Sequence, residues 1–302
     1  MPSLRKRVLG IGVPALCAAA AALLVAVVAV IMTIILYHGL PHLTWEFVSR
    51  APAEGMTEGG VFPAIVGTLL LVVIMSVVGV PVGTLTAIYL CEYVTQNSAI
   101  VRAIRFGVST LAGIPSIVFG LFGLGFFVQF VGGGLDTLLS GGEVVRWRQP
   151  CLLWASLTMA VLTLPVVIVS VEEAIRTVPR ELREASLALG ATRWQTIVRV
   201  VLPGSATGIM TGAILAVSRG AGEVAPILFT GAAYFLPHLP GSLADQFMNL
   251  GYHVYIMSTQ SPDVDATQGI QYATTLVLLL LTFTLNFAAV FVRYRVRRRM
   301  KG

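Results

Sequence analysis

Residues 172–203 read EEAIRTVPRELREASLALGATRWQTIVRVVLP, from Glu172 to Pro203. The stretch is charged and helix-forming, and it lies between two long apolar segments. Pro179 suits the first turn of a helix, where a missing N–H costs nothing. Leu182, Ala185, Ser186 and Leu189 then recur at i, i+3, i+4 and i+7, which gives one apolar-to-small face. Arg180, Glu181, Arg183 and Glu184 fill the other positions, and Arg180 and Glu184 stand four apart. Gly190 is placed to end this helix as a C′ glycine. Thr192 and Gln195 form T-x-x-Q, a capping box that starts the next helix, which carries Trp194, Ile197, Val198 and Val201 until Pro203 bends or breaks it. The spacing predicts helix, tight turn, helix, lying against one face of a membrane.

The membrane follows from composition. Of 302 residues, 56% are hydrophobic and 11% charged, far too apolar for a soluble domain. The apolar residues are concentrated in six runs, roughly 11–37, 61–91, 103–131, 151–171, 204–235 and 273–292. A hydrocarbon core of ~30 Å takes about 20 helical residues to cross. The runs are continuous rather than alternating, and every backbone polar group must be paired in lipid, so the spans are helical. The first run is too long for the apolar part of a signal peptide and is read as an uncleaved span.

If six spans alternate, all of the 20 lysines and arginines except Arg50, Arg146, Arg148 and Arg219 fall on one side. The positive-inside rule then puts both termini and the 172–203 stretch in the cytoplasm. The basic ends beside apolar spans are orientation signals that can touch anionic lipid, not a nucleic-acid surface. Cys17, Cys91 and Cys151 form no CxxC or Cys/His cluster and are expected as small core residues, with neither a metal site nor a disulfide framework.

Several local features bear on function. Glu92 closes the second span, either solvated at the interface or part of a pathway. Gly113, Pro115, Gly120 and Gly123 interrupt the third span, as a packing kink or as a flexible wall. Residues 38–60, with Trp45 as an interface anchor, residues 132–150, and the long segment 236–271 are read as loops on the outer side. Part of the last is apolar and expected to be re-entrant or surface-lying. The most costly feature is Ser218-Arg219-Gly220-Ala221-Gly222-Glu223-Val224-Ala225-Pro226. Arg219 lies ~24 Å beyond Pro203 if the chain is helical. A charge deep in a span costs at least ~2.5 kcal/mol and should face protein or a wet cavity. Arg219 and Glu223 are four apart and share a helix face. They form either a structural ion pair or a site where the guanidinium fork meets a tetrahedral oxyanion. Gly220 and Gly222 are expected to keep the neighbourhood open, and Pro226 to break the helix.

Glu184-Ala185-Ser186, three residues, Gly190, nine residues, Val200, one residue, Leu202-Pro203 resembles the EAA loop of ABC importer permeases, with Ser186 in place of the last alanine and Val200 in place of isoleucine. Ala87 to Tyr93, Gly113 to Leu121, Ser218 to Pro226 and Tyr252-His253-Val254-Tyr255 resemble the phosphate-specific permeases of the PstA type. The resemblance covers residues 61 to 292; residues 1–60 match less distinctively, and the chain divides at that point, with residues 61–302 as the permease domain. It implies an all-α integral membrane protein with the six-helix fold of type I ABC importer permeases. It implies inorganic phosphate as cargo, a sister permease of similar fold, two ATP-binding subunits and an extracytoplasmic phosphate-binding protein. ATPase docking falls on Arg180, Glu181, Leu182, Glu184, Ala185, Ser186, Leu189, Gly190 and Ala191, and the substrate pathway on Arg219 and Glu223. No G-x-x-x-x-G-K-[ST] loop is present to cradle a nucleotide, so ATP and magnesium belong to the partner, and the chain is expected to need no cofactor and to be no enzyme. Two other readings share the sequence: a permease for another oxyanion such as molybdate or sulfate, and a membrane sensor or scaffold. No internal repeat points to a secondary transporter.

Overall fold

A computed structural model describes residues 4–53, 58–94, 98–261 and 264–299; Lys301 of the basic tail lies outside them. Helix α1 (Leu4–Gly39) is followed by the short α2 (Trp45–Ser49) and a two-stranded antiparallel hairpin, β1 (Pro52–Ala53) with β2 (Glu58–Gly59). Then come α3 (Phe62–Ile88), α4 (Ala99–Ala112), α5 (Ser116–Phe122), α6 (Gly133–Ser140), α7 (Leu152–Arg176), α8 (Arg180–Ala188) and α9 (Arg193–Thr196). The chain ends with α10 (Leu202–Gly222), α11 (Ile227–Thr230), α12 (Leu250–Thr259) and α13 (Val264–Arg299). Three joints are wound as π-helix, Tyr89–Tyr93, Gly123–Gly132 and Ile197–Val201. Six stretches among the described residues are long and apolar enough to span a membrane: Gly12–His42, Phe62–Tyr93, Ser116–Ser140, Leu152–Arg176, Arg193–Gly222 and Thr267–Arg298.

Two spans differ from the sequence reading. The third run breaks at Gly113–Pro115, so 99–112 forms a separate helix and the span is shifted to 116–140. Pro115 disfavours helical backbone in the residue before it, and Pro115 itself is extended at ψ 138°. The fifth run stops being helical at Gly222, well before residue 235. Pro226 is therefore not the breaker; it caps α11. Pro203, by contrast, neither breaks nor ends its helix. The π-wound turn before it (Ile197–Val201) leads straight into α10, and widened turns of this kind accommodate the N–H that proline lacks.

Helix α7 is the axis of the bundle. Its buried residues run around the whole circumference, from Leu152, Trp154 and Ala155 to Val171, Ala174 and Ile175. At one end it packs in a cluster with Leu71, Met75, Phe119, Met159, Ile227 and Phe247; at the other with Leu90, Val101, Val171, Ile175, Ile197 and Val201. In lipid, helix association depends on close van der Waals contact, which small residues permit. On α10, Gly204, Gly208, Gly212, Ala216 and Gly220 recur every four residues, so they form one stripe. A Cβ on Gly212 would lie 3.1 Å from Ser170 Cβ, one on Gly204 would lie 3.1 Å from Val178, and one on Gly208 would overlap Ala174. The stripe is what lets α10 lie against α7.

The first span packs on the last: the His38 ring stacks on Tyr272 with centroids 5.1 Å apart. Most of α1 is otherwise open, as expected of a lipid-facing helix. Cys151 is buried and Cys91 half-buried, but Cys17 is on the exposed face of α1 rather than in a core. The 236–271 segment contributes α12, whose start is fixed by Asn249, which accepts from Tyr252 N, and by Thr68 of α3, which accepts from Leu250 N at 3.0 Å. Segment 132–150 is not all loop: helix continues to Ser140, and Asp136, only 4% exposed, then gathers three consecutive backbone N–H groups of Arg146, Trp147 and Arg148 at 2.9 to 3.1 Å.

Candidate coupling hairpin and membrane ion pair

Helix α7 ends where Thr177 Oγ1 donates to the Ala174 carbonyl at 2.7 Å and Val178 turns inward, 5% exposed. Pro179, extended at ψ 142°, stands just before the first turn of α8 as its N-cap rather than inside it. That helix closes with a Schellman pattern: Gly190 N donates to Leu187 O and Ala191 N to Ser186 O, at 3.0 and 3.2 Å. This arrangement requires left-handed backbone at the C′ residue, and Gly190 has φ +85°. The next helix opens on the capping box, with Thr192 accepting from Gln195 N at 3.2 Å and Gln195 accepting from Thr192 N at 2.8 Å. The Ser186 and Thr196 hydroxyls meet at 2.9 Å and clip α8 to α9. Helix, tight turn and helix lie where the spacing puts them.

The hairpin projects. No residue of α8 is buried. Leu182 is 52% and Leu189 89% exposed, and Leu187 and Trp194 are exposed beside them. Of the nine residues assigned to docking, Arg180, Glu181, Leu182, Glu184, Ala185, Leu189 and Gly190 are exposed. Ser186 and Ala191 are half-buried, Ser186 because it turns toward Thr196. Arg180 and Glu184 do not form an ion pair.

What holds the hairpin to the bundle is Arg183. It donates from Nη1 to Val178 O at 2.6 Å, from Nη2 to Ile175 O at 2.8 Å and from Nε to Glu92 at 3.1 Å. It thereby covers the Val178 carbonyl just past α7 and adds a second donor to Ile175 O, which also accepts from Val178 N at 3.2 Å. Glu92, open to two readings in the sequence, thus ties the hairpin to the end of the second span. Behind α8 lies a cavity of ≈600 Å³ lined in part by Cys91, Glu92, Arg176, Arg180, Arg183 and Glu184. A second ionic cluster sits on the same end of α7: Glu172, 9% exposed, lies 3.4 Å from Arg105 of α4 and 3.3 Å from Arg176. Neither Arg183 nor Glu172 stands out in the sequence, because a charge beside a charged loop reads as solvated.

At the far end of α10, Arg219 Nε lies 3.3 Å from Glu223 Oε1, with side chains 36% and 22% exposed. Both stay partly open, so the pair is not sealed in a core. Gly222 has open space around it, but Gly220 is a packing glycine, closed by Met75. Beside the pair, Asn286 of α13 donates to Ser218 Oγ at 3.3 Å. In the sequence Asn286 is a single polar residue in an apolar run, with no sign that it pairs with Ser218. The arrangement offers a fork of donors and a carboxylate, both partly open, with an amide held on the neighbouring Ser218. It can orient and partly neutralise an oxyanion; among the described residues no group of His, Cys, Asp or Glu is arranged to hold a metal.

The family model described as "Binding-protein-dependent transport system inner membrane component" matches residues 79–302. A Bacillus subtilis protein named "Probable ABC transporter permease protein YqgI" is 31% identical over 89% of this chain and 90% of its own length. "Phosphate transport system permease protein PstA 1" of Mycobacterium tuberculosis is 34% identical over 85% of this chain and 77% of its own length. Among solved structures, a chain of a bacterial ABC transporter involved in the import of the acidic polysaccharide alginate superimposes with a TM-score of 0.65 at 15% identity, covering 96% of this chain and 97% of that one. A chain of the MetNI methionine ABC transporter gives 0.52 at 19% identity, covering 78% and 94%. At these identities the structures share the fold, that of importer permeases.

Proposed function

Because the chain belongs to the family of binding-protein-dependent transport system inner membrane components, we propose that it is the phosphate-translocating permease subunit of an ATP-driven importer in the bacterial plasma membrane. It hydrolyses nothing itself. ATP and magnesium are held by a pair of partner ATPases, a sister permease completes the pathway, and an extracytoplasmic binding protein delivers the ion. The observation that carries the coupling role is the α8 hairpin, an exposed apolar face mounted rigidly on α3 and α7. The phosphate assignment is supported by relatives named as phosphate transport permeases.

Closure of the ATPases moves α8. Arg183 passes that motion to Glu92 on one span and to the end of α7, and the covalent run through Pro203 passes it to α10. The stripe between α7 and α10 keeps these helices moving together. With both termini and the hairpin cytoplasmic, as the basic residues favour, the far end of α10 with Arg219 lies toward the outside. Phosphate would meet the Arg219 guanidinium there, with Glu223 orienting the fork and accepting a proton from a hydrogen-bearing ion.

ATP-driven uptake of radiolabelled phosphate by the complex reconstituted in liposomes tests this, comparing wild type with Arg219→Gln. Loss of flux at least tenfold, with assembly and ATP hydrolysis retained, is expected. Flux near wild type removes Arg219 from the pathway. Competition by molybdate or sulfate as strong as by phosphate would replace the substrate assignment.

A further inference from the structure

A second polar cavity, unrelated to the hairpin and to Arg219, lies between the first turns of α10 and the last turns of α13. It measures ≈480 Å³ and is lined by Thr207, Gly208, Thr211, Arg293, Tyr294 and Arg297, with Val290 at its deeper end. Since α10 begins directly after the hairpin, the cavity opens on the coupling side of the molecule.

Its donors converge. Arg293 and Arg297 are four apart on α13, and Thr207 and Thr211 four apart on α10, so each pair shares a face. Arg293 Nη1 donates to Thr211 Oγ1 at 3.1 Å, which ties one fork across the cleft. Among the described residues neither arginine is in an ion pair. Two uncompensated guanidinium forks beside the Thr207 hydroxyl form a donor set that matches a phosphate group, while the Thr211 hydroxyl, which donates to Thr207 O at 2.9 Å, holds Arg293 in place.

The surroundings indicate what carries that phosphate. Val290, 40% exposed, lines the cavity on the side of α13 away from the chain end. Phe287 and Phe291 on the same helix are 74% and 46% exposed, and Arg295 lies 4.7 Å over the Phe291 ring. An apolar surface thus runs from the cavity into the spanning part of α13, while the cations stand at the level where headgroups lie. We propose that this cavity binds the phosphate group of an anionic glycerophospholipid, with the acyl chains descending along Phe287 and Val290. A headgroup held there would brace α10 against α13 at the end nearest the hairpin.

The test uses the full-length chain purified in detergent, with native mass spectrometry reading the binding of phosphatidylglycerol, phosphatidylcholine and inorganic phosphate. Phosphatidylglycerol is expected to bind in preference to phosphatidylcholine, and millimolar inorganic phosphate is expected not to displace it. Arg297→Gln, which breaks no internal hydrogen bond, should weaken phosphatidylglycerol binding about fivefold. Arg293→Lys with Arg297→Lys keeps the charges and should retain most of it, which separates a lost site from a lost fold. Saturable binding of inorganic phosphate that depends on Arg297, without lipid preference, would overturn the lipid assignment and give the cavity to the free ion. Binding of both probes unchanged by Arg297→Gln would overturn the site altogether.

Discussion

Arg183 Nη2 lies 3.0 Å from Glu92 Oε1, joining the first turn of α8 to the end of the second span across 91 residues of sequence. Both side chains are largely shielded, 18% and 15% exposed. The same guanidinium covers two carbonyls at the end of α7. One side chain therefore fixes the hairpin to two spans at once, and a force applied to α8 has a stiff route into the bundle.

Removing either partner should be costly, but not equally. Arg183→Ala leaves Glu92 and the Val178 carbonyl unpaired, while Ile175 O keeps the Val178 N–H, and we expect a loss of about 3 kcal/mol, in the range for breaking a buried pair. Glu92→Gln keeps an acceptor and should cost about 1 kcal/mol. Thermal unfolding in detergent would rank the two variants, and in the assembled complex Arg183→Ala should uncouple ATP hydrolysis from uptake. Equal stability of Arg183→Ala and wild type would remove the anchor role.

The stripe on α10 gives a prediction with its own rescue. Gly208→Ala puts a methyl group into Ala174, and overpacking of this kind costs typically 1–3 kcal/mol. Ala174→Gly in the same chain should restore most of the loss, a coupling measurable in a double-mutant cycle. Additive effects would show that α7 and α10 do not depend on this contact.

The hairpin was legible because its signals are local. Pro179, Gly190 and the Thr192–Gln195 box each act within a few residues; the structure places Gly190 and the box where the spacing does, and Pro179 just outside the first turn, at the N-cap. Six spans were legible from length and apolarity. The limits of two spans were not, because Gly113–Pro115 and Gly222 end helices inside runs that are apolar again on the far side, where an interruption and a helix end look alike. Arg183 to Glu92, Arg105 to Glu172 and Asn286 to Ser218 were invisible for a different reason. Each partnership joins residues distant in sequence, and a charge or amide alone carries no sign of its partner.

His253 on α12, outside the six spans, is 2% exposed and its Nδ1 has no hydrogen-bond partner. Burial lowers its pKa to about 4, against roughly 6.5 in an unfolded chain. Between these values only the unfolded chain takes up the proton, so stability is full above about pH 6.5 and falls as pH drops toward 4. The loss at pH 5 comes to about 2 kcal/mol. His253→Gln should flatten this part of the profile when thermal midpoints at pH 7 and 5 are compared. An unchanged wild-type slope in the variant would assign the acid sensitivity to other groups.

Asp136 supplies the last prediction, on the loop after the third span. Its carboxylate accepts from Arg146, Trp147 and Arg148 N–H groups at 3.1, 2.9 and 2.9 Å, and Trp154 Nε1 donates to the Trp147 carbonyl at 2.7 Å. The loop has two arginines in this cradle and so two trypsin sites. Hydrogen bonds to a charged acceptor are worth about 1.5–3 kcal/mol. Asp136→Asn replaces one acceptor oxygen by a donor facing other donors, so local opening should become easier by about 2 kcal/mol. Cleavage after Arg146 and Arg148 should then accelerate roughly 30-fold, provided reclosing is fast relative to cutting. Global unfolding would accelerate cutting at every site, whereas release of the cradle accelerates it at these two. An unchanged cleavage pattern in Asp136→Asn would show that the neighbouring Trp147 and Trp154 contact holds the loop without the carboxylate.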